Sequence, residues 1–173
     1  DRRDVISVPV SYRSAPASEL QAALLGRAHH EELGERWLYD ATADPVFVTA
    51  WLEMMRSQAS SLDGHTHGVA QDGFPDWEPF TEPLPTKVLK GEQSNTSVIV
   101  TAPEAPLIVK FYRVVAAGIS PDVEVSARLT EVGSVDVPAT YGWVTGGTRR
   151  LPFLPERQDP LGLGRSTGHR GPL

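Results

Sequence analysis

The 173-residue chain contains no cysteine. Disulfide bridges, thiolate metal sites and a cysteine nucleophile are therefore excluded, and a cytoplasmic protein is expected. No stretch approaches eighteen consecutive apolar residues, so no transmembrane helix is expected. Basic residues are in deficit: 16 Lys and Arg stand against 22 Asp and Glu, a formal charge of −6. That balance argues against general nucleic-acid binding and against a polybasic membrane surface. The Asp1-Arg2-Arg3-Asp4 start lacks an initiator methionine and any signal-peptide pattern, and the chain reads as a fragment or a processed product. What is present is 40% hydrophobic residues, enough for one domain or two small ones.

The first half alternates and then turns helical. Val5 to Tyr12 places Ile6, Val8 and Val10 on one side, a strand pattern with Pro9 marking an edge or a bulge. Leu20 to Ala28 predicts a second strand or a helical turn, and Glu35 to Tyr39 a third strand. Asp44-Pro45 is a helix start, with Asp44 as N-cap and Pro45 at the first helical position. Phe47, Val48, Trp51, Leu52, Met54 and Met55 form one wide apolar face, read as core, and the helix is expected to run to about Gln58. Residues 60–85 are polar and rich in Gly, Pro and Asp, which predicts a mobile loop and an extended Pro-rich linker with a domain boundary near residue 86. His65 and His67 lie in that loop with no third ligand near in sequence, so loop histidines are favoured over a metal site.

The second half opens on a short strand, Lys87 to Lys90. Gly91-Glu92-Gln93-Ser94-Asn95-Thr96-Ser97 follows. It lacks the P-loop spacing G-x-x-x-x-G-K-[ST] and is not the glycine-rich kinase signature. Its short hydroxyl and amide side chains, with backbone N–H groups, can nevertheless surround phosphate oxygens; an ordinary polar hairpin turn is the competing reading. Leu107-Ile108-Val109-Lys110-Phe111 is a strand carrying one lysine. A lysine inside a buried strand is costly unless paired, and kinases solve this by aiming it at phosphates and at a helix glutamate. Ser120-Pro121-Asp122 then starts a helix that Gly133 ends. Glu124 in its first turn is expected to fold back onto Lys110, against the alternative of a solvated acid that favours the helix N-terminus. Val135 to Pro138 and Tyr141 to Val144 read as further sheet segments.

These residues resemble the actinobacterial maltokinase family, some members of which are fused to trehalose synthase, while a related branch phosphorylates glucosamine. The resemblance rests on Gly91 to Ser97, Leu107 to Phe111, Ser120 to Glu124, Val137-Pro138 and Gly142-Trp143. In the first half it rests on Val8 to Arg13, Leu33 to Asp40 and Asp44-Pro45-Val46. It implies an α+β fold of antiparallel sheets with packed helices: a cystatin-like cap over residues 1–86, then a subdomain like the N-lobe of protein kinases over 87–145. It implies ATP as the bound nucleotide, held by Gln93, Ser94, Asn95, Thr96 and Ser97, with Lys110 on the α- and β-phosphates and Glu124 holding Lys110. The family transfers the γ-phosphoryl group of ATP to maltose, giving maltose 1-phosphate. Its catalytic aspartate and Mg²⁺ ligands lie in a C-lobe, so Mg²⁺ is expected only with that lobe.

The likeness stops near Val144. Residues 146–173 hold six Gly, four Pro, five Arg and no Lys, all three enriched types having GC-rich codons. An out-of-frame tail is expected, or a natural flexible one, with no packed domain. The chain alone is then expected to hold nucleotide without turnover. The alternative is a non-catalytic binding or oligomerisation module built on the same fold. Expected partners are a second copy, the missing C-lobe or a trehalose synthase, with no nucleic acid and no membrane.

Overall fold

The structure is a computed structural model, which describes residues 5–91, 94–104, 106–115 and 118–146. The chain is α+β, with four small antiparallel sheets and two α-helices among the described residues. The expectations for Gln93 and for the tail beyond Gly146 fall outside the described residues.

The expected first strand is split at Ser7 to Pro9 into β1 (Val5–Ile6) and β2 (Val10–Arg13). A 3-10 turn at Ser18–Ala23 leads into β3 (Leu24–His30), and β4 is Gly34–Asp40. These strands form a sheet in the order β2-β4-β3. Tyr39, fully buried, anchors a small core with Ala17, Leu20 and Trp37, and its phenol oxygen accepts the Ala17 N–H at 2.9 Å. Helix α1 spans Pro45–Arg56. Asp44 caps it as the sequence predicts, accepting the Val46 N–H at 3.1 Å.

A second sheet has the order β6-β7-β8, from Thr86–Val88, Asn95–Thr101 and Pro106–Tyr112. Strand pleating sends alternate side chains to opposite faces. Val98, Val100, Val109 and Phe111 take one face and bury themselves against Val48, Leu52 and Met55 of α1. Phe47, Trp51 and Phe111 add a three-ring cluster with centroids 5.3–5.9 Å apart. The core is thus drawn from both sides of residue 86. Residues 114–115 form β9, which pairs back with β1 through Val5 opposite Val115 and Ile6 opposite Val114.

The segment expected to be a mobile loop and linker is more ordered than its composition suggests. Thr66–Ala70 is strand β5, paired antiparallel with β10 (Gly142–Gly146). Gly68 makes this possible: a Cβ there would drive into the backbone carbonyl of Met54, so only glycine lets β5 lie on α1. Phe74, Trp77 and Phe80 stack edge-on and tilted along the segment that follows. Helix α2 is Pro121–Glu131, tied by the Gln71 side-chain amide donating to the Ala127 carbonyl at 2.9 Å. Val135 to Pro138, expected as sheet, lies outside any strand. Among the described residues, no helix is long and apolar enough to cross a membrane.

Candidate functional site

The face of β6-β7-β8 turned away from α1 carries the predicted lysine. Pairing places Lys87, Ile99 and Ile108 in one row across the sheet, Ser97 opposite Lys110 in the next, and Asn95 opposite Tyr112 beyond. Lys87 and Lys110 are exposed, Ile99 is half-buried and Ile108 is 60% exposed. The lysine was expected inside a buried strand; instead α1 covers the Val109 and Phe111 face, and Lys110 lies on the other face, exposed. Two adjacent isoleucines beside a lysine make a flat apolar seat next to a cation, suited to a ligand with a planar apolar body and an anionic end.

The residues expected to form a phosphate loop are distributed differently. Ser94 is exposed just before β7, whereas Asn95, Thr96 and Ser97 belong to the strand. Alternation sends Asn95 and Ser97 to the Lys110 face and Thr96 to the other. Ser97 is buried. Among the described residues no ion pair joins Lys110 to Glu124, and both side chains are exposed. Helix α2 begins near this face, with Ser120 and Asp122 close to the Tyr112 phenol. Burial pushes the Tyr112 pKa up, and the nearby Asp122 charge adds to that.

Thr96 is engaged by a residue that the motif reading passed over. Arg113, at the end of β8, donates from Nε and Nη2 to the Thr96 hydroxyl at 3.0 and 2.8 Å. The same Nη2 donates to Asp40 Oδ2 at 2.8 Å. Thr42 completes the cluster, its amide and hydroxyl donating to Asp40 Oδ1 at 3.0 and 2.7 Å. Burial alone would raise the Asp40 pKa; the Thr42 hydrogen bonds and the Arg113 guanidinium outweigh it and hold the carboxyl below its ordinary value. A second pair, Arg13 with the buried cap residue Asp44, lies nearby.

His67 Nδ1 lies 3.1 Å from the Ser60 hydroxyl, and Asp63 accepts from Ser61 and from the His65 amide. Among the described residues no group of three or more His, Asp or Glu side chains could hold a metal ion.

Residues 1–44 match the family model of the maltokinase N-terminal cap domain, about a quarter of the 173-residue chain. The matched segment carries Arg13, Asp40 and Asp44.

Proposed function

We propose that this chain is the nucleotide-holding part of an ATP-dependent sugar kinase resembling maltokinase, with the acceptor sugar and the catalytic groups supplied by a further lobe. The observation that carries this reading is the maltokinase-cap match over residues 1–44. The sheet that follows adds support, since it offers the features a nucleotide requires: an apolar seat at Ile99 and Ile108 and a cation, Lys110, one row along. On this reading the adenine lies over the isoleucines, and the lysine neutralises the α- and β-phosphates. Ser94 and Asn95 supply polar contacts around them. Phosphoryl transfer in such enzymes is mostly positioning and charge neutralisation. Here only the phosphate side is assigned to the chain; Mg²⁺, the acceptor and the positioning acid are assigned to the further lobe. Glu124 stands one turn into α2 and pairs with Lys110 on docking of that lobe.

Titration of a fluorescent ATP analogue into the full chain tests this reading. Saturable binding that weakens at least about tenfold in Lys110→Ala is expected, tenfold corresponding to about 1.4 kcal/mol. No maltose-dependent ADP release is expected from the chain alone. Absence of binding, or binding indifferent to Lys110, overturns the reading. A second reading draws on the 60% exposure of Ile108: the same open face seats a second copy or another enzyme such as a trehalose synthase. Light scattering separates the two, because a strictly monomeric chain that binds ATP favours the kinase reading.

A further inference from the structure

Arg113 joins the described start of β7 to the segment of residues 1–44 by hydrogen bonds of both main chain and side chain. Its amide donates to the Ser94 carbonyl at 3.3 Å, and its own carbonyl accepts the Ser7 N–H at 2.7 Å. Its side chain forks between Thr96 and Asp40. The Arg113 side chain is 21% exposed and the Asp40 side chain 29%, so both are largely withdrawn from solvent. A planar fork holds a hydroxyl and a carboxylate in fixed directions, which the flexible point charge of a lysine does not. Thr42 fixes the other carboxylate oxygen, which leaves Asp40 a single orientation from which to hold Arg113.

We infer that Arg113 is a positioning residue for the nucleotide site, holding Ser94 and Thr96 in register while Asp40 and Thr42 hold Arg113. The inference rests on the reading of the Lys110 face as a nucleotide site. Arg113 does not itself face that site: its contact residue Thr96 points to the opposite side of the sheet from Ser97 and Lys110. It acts by fixing where the β7 backbone begins, and hence where Ser94 and Asn95 present their polar groups. Small displacements of such groups are costly, because a bound phosphate is recognised by several donors at fixed geometry.

Hydrogen exchange and ATP titration on the full chain test this together, using Asp40→Asn, which keeps the shape and removes the charge, and Arg113→Lys. Amide exchange of residues 94–97 is expected to rise about tenfold in both variants, while Val98 and Val100 stay protected. ATP affinity is expected to fall about tenfold in both, with Asp40→Asn/Arg113→Lys no weaker than either alone, since the two act as one relay. Unchanged exchange at 94–97 overturns the inference whatever the nucleotide does. Faster exchange with unchanged ATP affinity overturns it as a statement about the nucleotide site. Faster exchange in a chain that binds no ATP upholds Arg113 as the holder of β7 and sinks the nucleotide reading instead.

Discussion

Asp44 performs two tasks with one carboxylate. It caps α1 through the Val46 amide and pairs with Arg13 of β2 while 2% exposed. Asp44→Ala should therefore cost about 2 kcal/mol, the upper end for a lost N-cap, since it also strips Arg13 of its partner; urea unfolding of the two proteins measures it. Asp40 carries a pH signature. Its folded pKa lies below the ordinary value, so its contribution is fully present above the unfolded pKa of about 3.9 and is lost as pH falls through the folded value. Stability should be insensitive to this group between about pH 5 and 7 and decline below about pH 4. Asp40→Asn should flatten that acid limb, which thermal melts across the range would read. The caps were legible because Asp-Pro and Ser-Pro before an apolar run have a local cause. Arg113 was not, because its partners lie 17 and 73 positions away and nothing local marks them.

At the scale of elements, periodicity located α1, β4, β8 and α2 because each has an apolar face that must be covered. Helix α1 covers the sheet with Val48, Leu52 and Met55. Leu52→Ala should destabilise by about 3 kcal/mol, lowering Tm by about 6–12 °C, which calorimetry would detect. Strand β5 escaped notice since Thr-His-Gly-Val-Ala has no alternating apolar face; it is a strand because it lies on α1 and pairs with β10. Its glycine is the test. Gly68→Ala should cost about 1–3 kcal/mol through overpacking, a loss that the ordinary preference of strands for alanine over glycine cannot explain. Lys110 shows a different limit: a run reading Leu-Ile-Val-Lys-Phe does not say whether one face or two are covered. Helix α1 covers one, and the lysine is left in solvent. The Glu124 pairing expected on the assumption of a buried lysine is not formed between the two described side chains.

For the whole molecule, the cap-type segment and the lysine-bearing sheet share strand pairing at β1 and β9, the Asp40–Arg113 contact and a core to which α1 contributes. Two readings from sequence meet at this scale: a maltokinase-type cap, matched over residues 1–44, and a nucleotide site on the sheet beyond it. The sheet face is where the account is most exposed to test. The chain has four isoleucines, Ile6, Ile99, Ile108 and Ile119, so a methyl-labelled sample gives a spectrum that can be read residue by residue during an ATP titration. The Ile99 and Ile108 methyls are expected to shift together and saturably, with Ile6 unmoved and the shifts lost in Lys110→Ala. Methyls of Ile99 and Ile108 that stay in place at saturating ATP would contradict the nucleotide reading.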